Sequence, residues 1–161
     1  MIVLGLDPGL ATTGFGAVNF DKKSPSLLRC GTIKTLPGEH IANRLFQIYT
    51  DLLQLIRLIE PDIIAIEKAF SMVRYPKAGI ILGSVLGIIY LSVFQNGISM
   101  IEISPKEIKN SLAGYGGADK YQVRAAVKNL LKTSDIKSFH SSDALAVALT
   151  AYYRRRTGTG R

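Results

Sequence analysis

The chain has 161 residues, 47% of them hydrophobic, so it is long enough for one folded domain and too short for two large ones. Its single cysteine, Cys30, excludes an internal disulfide, and with an N-terminus unlike a signal peptide it favours a cytoplasmic protein. The net charge is +8, and from residue 99 onward eleven lysines and arginines stand against five acids, which favours a polyanionic partner over a merely soluble basic surface.

An almost wholly apolar run at residues 2–6 predicts a strand that is buried on both faces of a sheet. Asp7 ends this run, and the proline and glycine that follow it stop the strand. Residues 14–20 and 26–34 predict two more strands that continue as an antiparallel meander. The fold therefore begins with a carboxylate at a strand end, although an acid before Pro-Gly is also a common turn former.

The next segment predicts a long helix followed by a second strand that ends in an acid. Apolar side chains recur in steps of three and four over residues 39–59, which indicates an amphipathic helix. Residues 62–67 then predict a short buried strand that ends in Glu67. If this strand lies parallel to the first, Glu67 lies near Asp7, and two close carboxylates must be paired, protonated or bound to metal. A salt bridge between Glu67 and the adjacent lysine is the alternative.

Residues 77–95 predict a helix that is apolar on all sides, since 78–94 contain no Asp, Glu, Lys, Arg or His. Seventeen residues are marginal for a bilayer, and we reject a membrane span. Gly79, Gly83 and Gly87 form a smooth seam on one helix face, where a second helix can approach closely. We expect a homodimer that covers this helix, and the alternative is a core helix covered by its own chain.

The third quarter of the chain predicts a fifth strand and two basic helices. The strand spans residues 98–103, and a serine cap, a proline and a glutamate at 104–107 predict a short helix that carries Lys106 and Lys109. Asp119 is the expected cap of the next helix. Four cations on that helix recur every fourth residue. Such a row is usually a solvated face, but no acids are interleaved to pair these cations, so we favour contact with DNA phosphates. The four cations are Lys120, Arg124, Lys128 and Lys132.

The last predicted helix begins near residues 138–141 and ends in three arginines. His140 and Asp143 are three residues apart, so their side chains share a face and can both reach one metal ion. A lone histidine at this place would more often be a cap or a surface residue. Residues 157–161 are expected to be a flexible basic tail, which leaves residues 1–156 as a single domain.

Two strand ends and one helix thus supply three carboxylates and one imidazole, namely Asp7, Glu67, Asp143 and His140. Hard oxygen ligands of this kind suit Mg²⁺ or Mn²⁺. Two such ions can activate a water on one side of a phosphodiester and stabilise the leaving oxygen on the other. The residues themselves therefore predict a metal-dependent nuclease.

Several motifs together resemble the RuvC family of Holliday junction resolvases, and they lie at residues 5–9, 13–16, 65–70, 116–123 and 142–146. The resemblance implies an α/β fold of the RNase H-like type, with a five-stranded mixed sheet flanked by helices. It implies a homodimer that nicks two opposing strands of a four-way DNA junction in recombination and repair. It also implies Mg²⁺ or Mn²⁺ dependence, 5′-phosphate products, and work alongside the branch-migration proteins RuvA and RuvB.

The resemblance also implies roles for single residues. Asp7 would bridge two metal ions, Glu67 would bind one of them, and Asp143 with His140 would bind the other. Phe70 would stack on unpaired bases at the crossover, and Lys109 and Lys120 would hold the strand near the cut. Together with Lys106, Arg124 and Lys128, for which the basic helices predict contact with DNA, six side chains are expected to contact DNA. They are Phe70, Lys106, Lys109, Lys120, Arg124 and Lys128.

One position departs from part of the family, because some members have an acid where His140 stands. Histidine removes a negative charge and could serve as a ligand or as a general base. We therefore expect a preference shifted toward Mn²⁺ and an activity that falls in acid as the ring gains a proton.

Three other functions fit part of the pattern. A catalytically weak module could bind junctions by shape, and its role would not need Asp7. An actin-like or sugar-kinase domain also combines a strand-end acid with a glycine-rich hairpin, but it needs a second lobe and leaves His140 with Asp143 unexplained. Cleavage of RNA–DNA hybrids is the third.

Overall fold

The computed structural model describes residues 1–20, 24–68 and 76–156. Its strands are β1 (Ile2–Asp7), β2 (Thr12–Asn19), β3 (Ser26–Lys34), β4 (Ile63–Glu67) and β5 (Ser99–Ile103). Its helices are α1 (Ile41–Ile59), α2 (Pro76–Gln95), α3 (Pro105–Ala113), α4 (Lys120–Leu131) and α5 (Phe139–Arg156). The sheet order is β3-β2-β1-β4-β5, with β1 to β3 antiparallel and β4 and β5 parallel to β1. The predicted five-stranded mixed sheet flanked by helices is confirmed.

Helices cover both faces of the sheet, because the central strands are apolar on both sides. On one face Val3 and Ile63 pack with α3, α4 and α5, and on the other Leu4 and Ile64 pack with α1 and α2. The alternation within β1 and β4 sends successive side chains into different cores. The sheet is therefore the middle layer of three, and its strand ends remain open at the edge of the molecule.

Close packing of α5 on β1 and β2 brings the start of this helix to the strand ends. A Cβ built on Gly5 would overlap the Ala144 carbonyl oxygen, and one on Gly14 would overlap the His140 carbonyl oxygen. Only glycine leaves room for such an approach of helix backbone to strand. These two positions therefore fix where the α5 residues lie relative to Asp7.

Most predicted boundaries are confirmed within two residues, and the two helix caps at Ser104 and Asp119 are present as expected. β2 starts earlier than expected, at Thr12, because the Thr13 hydroxyl donates to the Gly9 carbonyl at 2.8 Å and tightens the preceding turn. The expected row of four cations on α4 is wrong at its end. The helix stops at Leu131, and Lys132 is a left-handed C-cap with φ of 49°, outside the helical repeat.

Among the described residues, only one side of α2 is covered, which speaks against a core helix enclosed by its own chain. Val85, Ile89 and Val93 are buried, whereas Ile80 is 73% exposed and Phe94 is 84% exposed. A Cβ added at any of the three seam glycines would meet nothing within 4 Å. Lys77–Gln95 is also, by length and composition alone, the one helix among the described residues that could cross a membrane, and 22% of its apolar window is buried. The homodimer through this face remains a prediction.

Candidate active site

Two carboxylates lie side by side at the carboxyl ends of the two central parallel strands. Leu6 pairs with Ile66 in the register of β1 and β4, and the next residues are Asp7 and Glu67. The strands are held in this register by apolar side chains on both faces, so the two acids are placed by the best-buried part of the fold. The predicted proximity of Asp7 and Glu67 is confirmed.

The start of α5 brings His140 and Asp143 to the same place. His140 Nδ1 lies 2.7 Å from Asp7 Oδ2, with the His140 side chain 51% exposed and that of Asp7 19% exposed. Ser138 caps the helix by accepting the Ser141 N–H at 2.9 Å. The Ser141 hydroxyl reaches the Gly31 carbonyl of β3 at 3.1 Å, which ties this end of α5 to the sheet.

The charge of Glu67 is the least favourable in the site. Burial, and then the neighbouring charges of Asp7 and Asp143, raise the pKa of this carboxyl to about 7, against the opposing charge of Lys109. Without a bound cation, Glu67 therefore holds a proton more readily than an ordinary glutamate.

The other two carboxyls follow the same rule. Burial, and then the charge of Asp7, raise the pKa of Asp143 to about 6, against the opposing charges of His140, Lys120 and Arg124. Burial also raises the pKa of Asp7, while its hydrogen bond to His140 and the charge of that ring act in the opposite direction. The three carboxyl groups thus lie in a place where their ionised forms are unfavourable. A bound cation would stabilise these ionised forms.

A groove of about 200 Å³ opens between α3, α4 and the site, with Glu67 and Asp143 among its lining residues. Lys109 of α3 and Lys120 of α4 also line it. The groove therefore combines acids that can hold metal with cations that can hold a phosphate. Apolar side chains from α3, α4 and α5 form the rest of its wall.

The donor set fits a hard divalent cation, since it offers carboxylate oxygens and one imidazole nitrogen. Among the described residues no three His, Cys, Asp or Glu side chains converge closely enough to form a complete cage as they stand. The repulsion that raises the carboxyl pKa values is what an ion between them would relieve. Asp7, Glu67, Asp143 and His140 are the residues that could hold such an ion.

The side chains predicted to contact DNA are divided between different places. Lys109 and Lys120 line the groove at the site, whereas Lys106 lines a separate groove beside Arg154. Arg124 points inward and donates to the Ile136 carbonyl oxygen at 2.6 Å. Lys128 is partly buried two turns beyond Lys120, about 12 Å further along α4. Phe70 lies outside the described residues.

Sequence reasoning missed Phe139, the first residue of α5. Its ring lies 4.8 Å from Lys120 Nζ and 4.5 Å from Arg124 Cζ, and it meets the Tyr121 ring edge to face at 5.3 Å. No periodic signal crosses the connection between α4 and α5, so these contacts had no signature in the sequence. An aromatic residue directly before the candidate ligand His140 was the one available hint.

Comparison with known proteins agrees with this geometry. A family model described as "Crossover junction endodeoxyribonuclease RuvC" matches residues 3–151. A RuvC protein of Caldicellulosiruptor saccharolyticus is 40% identical over 151 residues, which cover 92% of this chain and 90% of that protein. The Thermus thermophilus RuvC structure is similar with a TM-score of 0.90, 31% identity and coverage of 99% and 98% of the two chains. T. thermophilus RuvC in complex with a Holliday junction substrate gives a TM-score of 0.93 at 31% identity, with coverage of 99% and 97%.

Proposed function

This chain belongs to the RuvC family of crossover junction endodeoxyribonucleases, and we propose that it resolves four-way DNA junctions by symmetric nicking of two opposing strands. It is a nuclease of DNA recombination and repair. Each cut is the hydrolysis of a phosphodiester, and we infer that it leaves a 5′-phosphate that a ligase can seal.

The observation that carries the proposal is the grouping of acids and cations at one end of the sheet. Glu67 and Asp143 line one side of a groove, Asp7 lies close to both of them, and Lys109 and Lys120 line the other walls. A phosphodiester carries one negative charge, so the two lysines attract it toward acids that would otherwise repel it. Substrate and cofactor binding are thereby coupled at this place.

Mg²⁺ or Mn²⁺, in two ions per site, is the cofactor that we infer. Asp7 would contact both ions, Glu67 one of them, and Asp143 with His140 the other. When bound, the ions supply an activated water and a stabilised leaving oxygen. The protein itself fixes the ligands, because β1, β4 and α5 are all packed in the core.

His140 has a second possible task as a proton acceptor. Its Nδ1 faces the Asp7 carboxylate at 2.7 Å, and an ionised carboxylate favours the tautomer in which Nδ1 carries the proton. Nε2 is then an acceptor that can take a proton from water. Metal ligand and general base are alternative roles for this ring.

We also infer a homodimer through the exposed face of α2, because two symmetric cuts need two active sites. The open glycine seam and the exposed Ile80 and Phe94 form an apolar surface that a second copy would bury. Function beside RuvA and RuvB in the cytoplasm follows from family membership and is part of this proposal.

The test is cleavage of a synthetic four-way junction, with each strand end-labelled in turn and Mg²⁺ or Mn²⁺ added. We expect paired nicks at symmetric positions, sealable by ligase, that are lost in Asp7→Asn and kept in Glu39→Gln, which removes an exposed acid outside the site. Linear duplex and an RNA–DNA hybrid should remain uncut at the same enzyme concentration.

Two outcomes would contradict the proposal. Tight junction binding without cutting in either metal would favour a binding module. Saturable ATP binding, with no effect of junction DNA, would favour the actin-like alternative.

A further inference from the structure

We propose that Arg124 is a positioning residue, which holds the chain just before α5 and so fixes His140 and Asp143 relative to Asp7. The inference rests on the proposed function, because a fixed α5 matters for cleavage only if these residues form the active site. It also replaces the phosphate contact that the cation repeat on α4 predicted for this arginine.

The first argument is where the guanidinium points. Arg124 Nη2 donates to the Ile136 carbonyl oxygen at 2.6 Å and lies 3.4 Å from the Lys137 carbonyl oxygen. Its Nε is buried and has no hydrogen-bond partner among the described residues. A guanidinium whose Nε is buried and whose Nη2 donates to backbone carbonyls is held by the fold, whereas a phosphate contact would need it to turn toward solvent.

The second argument is the aromatic contact that follows in the chain. Arg124 Cζ lies 4.5 Å from the centroid of the Phe139 ring, and Phe139 directly precedes His140. Lys120 Nζ lies 4.8 Å from the same ring, and Tyr121 packs its edge against it. Cations over an aromatic face add a directional attraction. One ring therefore joins the first turns of α4 to the first residue of α5.

The third argument concerns the hydrogen bonds that tie this end of α5 to neighbouring elements. On the sheet side the Ser141 hydroxyl reaches the Gly31 carbonyl, and on the α4 side Arg124 reaches the 136–137 carbonyls. Close packing on Gly5 and Gly14 seats α5 on the sheet, so loss of the second attachment loosens the helix start on the side that faces α4. A misplacement of about 1 Å among catalytic groups can reduce a rate by about a hundredfold.

The test compares Arg124→Lys with Lys137→Ala. Arg124→Lys keeps the charge but loses the planar fork that reaches the carbonyls and stacks on the ring. Lys137→Ala is the matched control, because it removes a neighbouring cation and leaves the backbone carbonyl in place. With enzyme saturating over junction, we expect the single-turnover rate to fall about tenfold or more in Arg124→Lys and to stay within about twofold of wild type in Lys137→Ala.

Junction affinity and its salt dependence separate positioning from phosphate contact. For a positioning residue, Arg124→Lys and Arg124→Gln should bind the junction within about twofold of wild type, with an unchanged slope of log affinity against log salt. A phosphate contact predicts a slope reduced by about one in Arg124→Gln and a nearly normal cleavage rate in Arg124→Lys. The second result would overturn the proposal.

Hydrogen exchange of the metal-free protein gives a readout that needs no cleavage. We expect amides of residues 136–143 to exchange about tenfold faster in Arg124→Lys than in wild type or Lys137→Ala. Phe139→Leu should resemble Arg124→Lys, and Phe139→Tyr should restore the wild-type behaviour. Thermal unfolding of each variant verifies that it is folded.

The outcomes also distinguish the two proposals from each other. A wild-type cleavage rate or unchanged exchange in Arg124→Lys overturns the positioning role. If the wild-type protein fails to cut junctions at all, the proposed function is lost, while the exchange experiment still decides whether Arg124 holds the start of α5.

Discussion

Removal of the Glu67 carboxylate should make the metal-free protein more stable while it abolishes cleavage. In the folded chain the pKa of Glu67 is raised from 4.5 to about 7, so the native state binds more protons than the unfolded chain between these pH values. Stability therefore falls as pH rises through this window. Below about pH 4 the carboxyl is protonated in both states, and its effect on stability disappears.

The magnitude follows from the shift. One pKa unit corresponds to about 1.4 kcal/mol, and because Glu67 is only partly buried, solvent screening reduces the full value to about 1–2 kcal/mol. In EDTA at pH 8, Glu67→Gln should thus gain about 1–2 kcal/mol in free energy of unfolding, measured by urea denaturation, and its melting temperature should rise by about 2–8 °C. At pH 4 the two proteins should differ by little.

Glu39→Gln is the matched control, because Glu39 is an exposed acid just before α1. It should change the unfolding free energy by less than about 0.5 kcal/mol at either pH. Addition of Mg²⁺ should stabilise wild type more than Glu67→Gln, since the ion binds the intact carboxylate set. Equal or lower stability of Glu67→Gln at pH 8, or a difference that is independent of pH, would refute the electrostatic reasoning.

Three further predictions concern packing, assembly and metal choice. Gly5→Ala should lower the free energy of unfolding in urea by about 3 kcal/mol or more, because the added Cβ would overlap the Ala144 carbonyl. An unchanged free energy of unfolding would show that α5 can move away from β1 freely. Phe94→Glu, on the exposed face of α2, should sediment as a monomer at a protein concentration at which the wild type is a dimer. A wild type that is monomeric at this concentration would contradict the dimer prediction. His140→Asp should move the metal preference from Mn²⁺ toward Mg²⁺, since it replaces an imidazole donor by a carboxylate. Equal cleavage rates with both ions in both proteins would count against a role for the ring.

The parts of the fold that follow local rules could be predicted from the sequence. Apolar runs predicted the five strands, and the identities of Ser104 and Asp119 predicted the helix caps that they form. The acids at the ends of β1 and β4 could also be paired, since parallel neighbouring strands end at one edge. These features depend on residues that are close in the chain or on one simple pairing.

The rest depends on contacts between elements that are distant in the chain. The repeat on α4 gave Arg124 and Lys128 the same role, but the connection before α5 folds back and offers carbonyls to Arg124 alone. The repeat also could not reveal that the helix ends before Lys132, whose left-handed backbone is not favoured by its side chain. Tertiary hydrogen bonds thus distinguish side chains that look equivalent in the sequence, and they are the basis for the positioning role that we propose for Arg124.

Paired, metal-dependent nicking is most directly tested with a supercoiled plasmid that extrudes a cruciform. Two cuts within the lifetime of one complex convert this substrate to a linear product, whereas a single cut relaxes it to a nicked circle and removes the cruciform. With Mg²⁺ or Mn²⁺ we expect linear plasmid as the main first product, none with EDTA, and none from Asp7→Asn. Nicked circle alone from the wild-type protein, or linear product in EDTA, would contradict a two-site, metal-dependent junction resolvase.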